Sequence, residues 1–289
     1  MASEITTTTA DDLVYAASIL EADIIDALYE NNNAIQLCRQ ASLANFPSKA
    51  KDFPKRPKLA ASSLTEGTDM GYTGYTTTKE TITAGEVGLT LTPTDVLSVS
   101  DIVDNSLYAQ DAGFAVANKL TTDIAALSSG FTTEVGSTGV ALTEANVLIA
   151  IATLEAANVP GPYRALIHPH QKRQLIADIG TTLTPASSTG MASRAETNDY
   201  GARPEGFLGD LYGGTWFSTA AVPDANAAAD HEGMIVGVSR ALGYVTKWDV
   251  RVELERDATL RATEIVVTSM YGVGEIADES GVSILSDHG

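Results

Sequence analysis

Two histidines separated by one residue are the clearest candidates for chemistry in this sequence. His168-Pro169-His170 presents two imidazoles, which could bind a metal ion or serve as a general base in a hydrolase. Proline favours the first turn of a helix, and an i,i+2 spacing there does not place both rings on one helical face. His231 and His288 fall in a predicted loop and near the end of the sequence. We therefore predict no metal site, and a cytosolic hydrolase using His168 and His170 stays only as an alternative.

Other residue patterns typical of catalysis are missing from the sequence. It contains no Gly-x-Ser-x-Gly turn, no glycine-rich phosphate loop and no His-Glu-x-x-His motif. Asp11 and Asp12 are adjacent carboxylates, but they lie on a predicted solvated helix face, where they serve solubility. The sequence thus predicts no catalytic residue and no cofactor, and a protein that is not an enzyme.

The composition indicates a large acidic globular protein. The chain has 289 residues, of which 44% are hydrophobic, enough for one large domain or two moderate ones. Its net charge of −19 argues against a general nucleic-acid-binding function, because phosphates require positive potential. Cys38 is the single cysteine, which excludes an internal disulfide. No signal peptide or long apolar run is recognisable, so we expect synthesis in the cytoplasm and no membrane span.

The element around which the chain is organised is a long predicted helix at residues 98–130. Ser100 is a suitable N-cap, and Ser128-Ser129-Gly130 favours termination. Its apolar residues recur at steps of three and four, and they are Ile102, Val103, Leu107, Ala109, Gly113, Phe114, Val116, Leu120, Ile124 and Leu127. Such a helix spans about 45 Å, which predicts a flat, extended subunit.

An acidic helix at residues 9–29 and an arm at residues 31–60 precede this helix. Three prolines in the arm favour extended backbone. The arm is locally basic, through Lys49, Lys51, Lys55, Arg56 and Lys58. Two interpretations stay open, a solvated linker and an arm that lies on an acidic neighbouring subunit.

Residues 61–93 predict a long hairpin made of strands 75–83 and 87–91. Threonines occupy much of its alternating surface, and an isolated two-stranded hairpin is marginally stable in water. We expect it to lean on something outside its own domain, with a hairpin folded back onto its own core as the alternative.

Helices and strands alternate after residue 130, as in an α/β domain. Thr143 is predicted to cap a helix that buries Val147, Leu148, Ile151 and Leu154. A strand at Tyr163–Ile167, a helix from Pro169 to Ile179, a long polar segment at 181–205 and strands at 213–220 and 234–239 follow. Residues 244–276 predict two further strands beside the central helix, because apolar and charged residues alternate there.

This order of elements resembles the major capsid protein family of tailed bacteriophages, whose fold is shared with encapsulins. The similarity spans residues 35–285 and rests on architecture and loose motifs. The segments that carry it are Phe53-Pro54 with Leu64-Thr65-Glu66-Gly67, then 96–104, Asn118 to Leu127 with Gly130, Arg164 to Leu175, Gly206 to Pro223, Trp248 to Glu255 and Tyr271 to Leu285.

The resemblance implies an α+β capsid fold with an N-terminal arm, an extended hairpin loop, a long spine helix with peripheral strands, and an α/β axial domain. The implied divisions are 1–60 for the N-terminal helix and arm, 61–97 for the hairpin loop, 98–130 for the spine helix, 131–243 for the axial domain, 244–275 for the peripheral strands and 276–289 for the C-terminal segment.

The resemblance also implies a function and partners. Copies of the chain would form pentamers and hexamers that tile an icosahedral head around double-stranded DNA, without sequence-specific contact to it. Scaffolding, portal and decoration proteins are further implied partners, the virion is the implied location, and neither a membrane nor a cofactor is involved. An encapsulin, which is a cellular cargo shell, is the alternative with the same fold.

Five residues are expected at contacts between subunits, namely Lys55, Arg56, Lys58, Glu66 and Lys79. Some members of the family join subunits by an isopeptide bond between a loop lysine and an asparagine near the closing strands. Lys79 could supply the amine, but residues 257–268 contain no asparagine, so we expect no crosslink.

Overall fold

The fold was derived from a computed structural model, which describes residues 34–55, 58–71, 74–95, 105–182, 207–227 and 229–288. The predicted helix at 9–29 with Asp11 and Asp12, the N-terminal part of the central helix at 98–104, and Arg56 lie outside the described residues. Most of the polar segment at 181–205 also lies outside them. Within the described residues, no helix combines the length and the apolar character needed to cross a membrane.

Three α-helices and thirteen strands form the described part of the chain. The helices are α1 (Asn105–Ala125), α2 (Glu144–Ala156) and α3 (Pro169–Thr182). The strands are β1 (Cys38–Ser42), β2 (Ala50–Lys55), β3 (Thr78–Thr83), β4 (Gly85–Leu91), β5 (Glu134–Gly136), β6 (Tyr163–Ile167), β7 (Phe207–Leu211), β8 (Gly214–Ser218), β9 (Asp224–Ala225), β10 (Asp230–Gly237), β11 (Leu242–Asp257), β12 (Ala262–Glu275) and β13 (Gly281–Asp287).

One sheet has four strands in the order β1-β11-β12-β4. The long antiparallel pair β11–β12 forms its centre, as the alternating sequence predicted. Helix α1 covers this pair, since Ala112, Val116 and Ala117 share a buried cluster with Val252 and Val267. The predicted position of the strands beside the central helix is therefore confirmed.

The central helix is α-helical to Ala125 and continues as a 3₁₀ turn at Ala126–Gly130. Val116, Leu120 and Ile124 are buried, as their spacing predicted. Phe114, however, is exposed, and its assignment to the apolar face was wrong. Two residues correspond to about 200° around a helix, so Phe114 and Val116 point in nearly opposite directions.

A second sheet has seven strands and two covering helices. Its order is β5-β13-β10-β6-β8-β7, with β9 paired to the start of β10. Helices α2 and α3 contribute Val147, Leu154 and Leu175 to a core shared with Trp216 and Ile235. The Thr143 side chain accepts a hydrogen bond from the backbone N–H of Asn146, so the predicted cap of α2 is confirmed. Leu148 is exposed, contrary to its predicted burial.

Strand β13 comes from the C-terminal segment, for which the sequence suggested no position in this sheet. It pairs antiparallel with β10 and parallel with β5, so it lies in the interior of the sheet. All residues from Gly281 to Ser286 are buried. The C-terminal segment therefore completes a core whose other residues lie between Val135 and Ile235.

The strands assigned to a hairpin at 75–83 and 87–91 do not pair with each other, so that pairing was wrong. Strand β3 pairs antiparallel with β2, and β4 pairs antiparallel with β12. Only Ala84 separates β3 from β4, and even the tightest hairpin turn needs two residues between its strands. In this part of the chain the hairpin is formed by β2 and β3. Strand β2 comes from the segment assigned to the arm.

Cys38 begins strand β1 and lies in the core between the two sheets. Burial raises the pKa of its thiol to about 12. At pH 8 the reactive thiolate is then about one part in ten thousand. We expect a disulfide-exchange reagent to leave Cys38 unmodified in the folded protein and to modify it fully in denaturant, as measured by absorbance. Rapid modification at the same pH without denaturant would contradict this burial.

Candidate functional site

The loop that joins β2 to β3 is the most exposed segment of the described chain. Every described residue from 58 to 71 and from 74 to 81 is exposed. Among them are four large apolar side chains, Leu59, Leu64, Met70 and Tyr75, with 68% of Leu64 and 74% of Met70 accessible. Long loops that expose apolar side chains are uncommon in compact domains and mark interaction surfaces.

The base of this loop is held rigidly against the four-stranded sheet. Phe53 of β2 and Ile82 of β3 share a small buried cluster with Val245 and Ile276. The chain then passes over Gly272 so closely that a Cβ there would lie 2.4 Å from the carbonyl oxygen of Thr83. The exposed loop therefore projects from a fixed stem.

Two of the predicted contact residues form ion pairs within their own subunit. The Nζ of Lys79 donates to Asp52 Oδ2 at 2.6 Å across the β2–β3 pair, and the hydroxyl of Thr81 donates to Asp52 Oδ1 at 2.6 Å. These hydrogen bonds, that of Lys79 first, lower the pKa of Asp52. The Nζ of Lys58 donates to the carbonyl oxygen of Ala157 at 2.5 Å, where the C-terminus of α2 favours a cation.

The other predicted contact residues lie along the same hairpin. Lys55 is half-buried at the end of β2, and Glu66 is exposed in a turn of the loop. Lys58 also lies 3.7 Å from Glu279 of the same chain. The structure thus places the described members of the set on one stem and loop, and it anchors Lys58 and Lys79 to the subunit itself.

A second arrangement was missed by sequence reasoning, because all four histidines of the chain converge. His168 and His170 lie at the start of α3, His231 lies on β10, and His288 directly follows β13. The ring centroids of His168 and His231 are 3.6 Å apart, and those of His231 and His288 are 4.4 Å apart. We call these four residues the histidine cluster.

The prediction that His168 and His170 could not present their rings together was wrong. Their rings stack with centroids 5.1 Å apart and an angle of 1° between planes. His168 precedes the helix as its cap, and its Nδ1 accepts the backbone N–H of His170 at 3.2 Å. Because His168 lies before the helix, the angular spacing of helical residues does not fix the direction of its side chain. The side chain turns back over the first turn of α3.

Gln171 explains how distant segments bring the histidines together. Its Oε1 accepts the backbone N–H of His168 at 3.0 Å, as the third residue of a capping box does. Its Nε2 donates to the carbonyl oxygens of His231 at 3.0 Å and Ile284 at 3.1 Å. One fully buried side chain thus fixes α3, β10 and β13 relative to one another.

Two members of the histidine cluster, His168 and His231, favour the neutral form because their pKa values are lowered. Burial, followed by the repulsion of neighbouring histidines, lowers the pKa of His168 to about 4. Burial also lowers the pKa of His231, although Asp224 opposes this effect. His231 is 1% exposed, and its Nδ1 lies 2.9 Å from Asp224 Oδ1. Neither ring nitrogen of His231 makes a hydrogen bond of good geometry with the described residues.

Similarity to known proteins is found at the level of structure. No protein-family model and no curated protein sequence matches the chain. The capsid structure of the cyanophage P-SCSP1u has a TM-score of 0.63 and 17% identity, over 86% of both chains. A structure from Mycobacterium phage Che8 has a TM-score of 0.69 and 16% identity, over 88% of this chain and 90% of that one. A virus-like particle from Pyrococcus furiosus has a TM-score of 0.61 and 10% identity, over 93% and 99%.

These similarities cover nearly the whole of each chain. They show that the chain has the α+β fold of phage capsid proteins, which confirms the fold class expected from the sequence.

Proposed function

We propose that a chain with this capsid fold is the major capsid protein of a tailed bacteriophage. Copies of it assemble through pentamers and hexamers into an icosahedral head that encloses double-stranded DNA. Its role is structural and not enzymatic. The observation that carries this proposal is the long loop between β2 and β3, which exposes Leu59, Leu64, Met70 and Tyr75 on a fixed stem.

In an assembled shell, these four side chains contact another copy of the chain. The four side chains are exposed and belong to none of the buried clusters of their own subunit, so the complementary surface belongs to another copy. A contact between two different patches on identical subunits is heterologous, and such contacts close into rings. Burying four large apolar side chains stabilises each contact by several kcal/mol, at about 25 cal/mol per Å² of apolar area.

The charge of the chain fits a container for DNA. A net charge of −19 discourages adhesion of the inner surface to phosphates, so DNA is enclosed without being bound specifically. Lys55 at the end of β2 then serves subunit contacts, whereas Lys58 and Lys79 are paired within their own subunit. Within this proposal, scaffolding, portal and decoration proteins are the expected partners, and the chain is made in the host cytoplasm before it enters the virion.

Electron microscopy of the purified chain tests this function directly. We expect pentamers, hexamers or closed shells in negative stain, and sedimentation far above that of a 30.2 kDa monomer. If the shells enclosed host proteins and contained no DNA during a phage infection, the protein would be an encapsulin. A monomer that persists at high concentration would disprove assembly altogether.

A further inference from the structure

The histidine cluster has the composition and spacing of a transition-metal site. The candidate ligand atoms of His168, His170 and His231 all lie within 4.8 Å of one another, and so do those of Asp224, His231 and His288. Tetrahedral zinc has Zn–N distances of about 2.0–2.1 Å, which places its ligand atoms about 3.4 Å apart. Within either set the ligand atoms therefore need to close by about 1.4 Å at most, and the stacked rings must rotate so that their in-plane lone pairs point to one ion.

Packing in an apolar core does not explain the presence of a polar residue at His231. His231 is nearly fully buried, its Nδ1 lies 2.9 Å from Asp224 Oδ1, and its Nε2 has no hydrogen-bond partner among the described residues. A buried polar group without partners is costly, so such groups in proteins usually have a function. His231 is also common to both candidate ligand sets, so a metal ion held by either set contacts it.

Asp224 is placed to orient His231 for metal binding. Its carboxylate lies 2.9 Å from His231 Nδ1, which leaves Nε2 as the nitrogen for the metal. Histidine ligands of metals commonly donate their second ring N–H to a carboxylate, and Asp224 is a carboxylate within reach of His231 Nδ1.

The strands fix this arrangement from both sides. Asp224 and His231 are direct partners in the β9–β10 pair. The backbone N–H of His288 donates to the carbonyl oxygen of Ala229 at 2.9 Å, which holds the exposed His288 beside the same strand.

Binding through His168 has a small cost. Its Nδ1 accepts a hydrogen bond from the backbone N–H of His170. A metal ion on Nδ1 would use the same lone pair, and a metal ion on Nε2 would require the ring proton to move to Nδ1, so either mode loses this hydrogen bond. At 3.2 Å this bond is at the long end of the usual range, and a net hydrogen bond contributes only about 1 kcal/mol. A metal–imidazole bond compensates for it.

We propose that the histidine cluster binds one divalent transition-metal ion per subunit, with His231 at its centre and Asp224 as its orienting carboxylate. Neutral imidazoles suit zinc, copper and nickel better than magnesium or calcium. The ion joins the start of α3, strand β10 and the residue after β13, so it clamps one end of the seven-stranded sheet. This inference does not depend on the proposed capsid function.

Metal titration of the untagged, chelator-treated full chain tests this proposal. We expect one equivalent of Zn²⁺ per subunit in calorimetry, and Co²⁺ should give visible absorption bands that zinc abolishes. The double variant His170→Ala/His288→Ala should lose at least tenfold in affinity. Asp224→Asn should lose about 10–100-fold, because it removes the orienting carboxylate.

Asp111→Asn is the matched control, since it removes one exposed carboxylate from α1. It should bind zinc like the wild type. His170 and His288 are not fully buried, so their variants are expected to fold, which circular dichroism verifies. Zinc binding of equal strength in the wild type and the double variant would show that the ion binds elsewhere, and absence of any binding in the wild type would equally overturn the proposal.

Discussion

Replacing residues 56–77 by Asn-Gly is expected to leave a folded subunit that no longer assembles. Lys55 and Thr78 are Cα partners at the ends of β2 and β3, so a two-residue turn can close the hairpin directly. The described residues of the replaced segment belong to none of the buried clusters, and its removal should change the free energy of unfolding by about 1 kcal/mol or less. The loss of Leu59, Leu64, Met70 and Tyr75 removes the proposed contact, and shells should disappear from sedimentation profiles.

A loop of equal length made of glycine and serine provides the control. It preserves the spacing of the hairpin ends but presents no apolar side chain, so it should also fail to assemble. Leu64→Ser/Met70→Ser should show a weaker defect of the same kind. Wild-type shells from the shortened variant would show that the loop is not an element of assembly.

The bounds of β3 and β4 in the structure determine which residues such a deletion can remove. A deletion of 72–88 would follow from pairing 75–83 with 87–91, but it would remove Ile82 and the first half of β4. Those residues belong to the stem and to the four-stranded sheet. That variant would test folding instead of assembly.

Gly272→Ala is expected to destabilise the subunit and displace the hairpin. A Cβ at this position lies 2.4 Å from the carbonyl oxygen of Thr83 and 2.9 Å from its carbonyl carbon, and backbone atoms cannot rotate away as a side chain can. Overpacking of this kind costs about 1–3 kcal/mol. Denaturant unfolding of dissociated subunits measures this cost, and microscopy should show fewer or misshapen shells because the stem of the loop has moved.

Gly85→Ala is a matched substitution at the start of β4. A Cβ there has no atom within 4 Å, and the backbone carries no positive φ. Its free energy of unfolding should stay within about 1 kcal/mol of the wild type. If the two variants unfold alike, the close approach of Thr83 to Gly272 does not constrain the hairpin.

Local patterns allowed much of the fold to be predicted. Strand β6 occurs at the predicted residues, Thr143 caps α2, and the alternation in β11 and β12 marks their buried face. Each of these signals depends on residues within about ten positions of one another, where periodicity and capping directly reflect backbone geometry. The order of such elements was also sufficient to identify the capsid fold.

The partners of the strands required the tertiary structure. Local composition favours β4 over β2 as the partner of β3, because Phe53 is the one strand-forming residue of β2 and the rest of β2 is Ala, Lys, Asp and Pro. The choice depends on packing of Phe53 and Ile82 against Val245 and Ile276, which are distant in the chain. Strand β13 likewise gains its place from pairing with β10 and β5.

The sequence by itself determined several of the helices and strands, that the chain is acidic, and which family its architecture resembles. It could not determine that four scattered histidines meet, because their meeting depends on Gln171, whose amide joins the start of α3 to Ile284 across 113 positions. Spacing along the chain constrains side chains only within one element. Between elements, the sheet order and a few buried hydrogen bonds decide which side chains become neighbours, and only the tertiary structure contains that information.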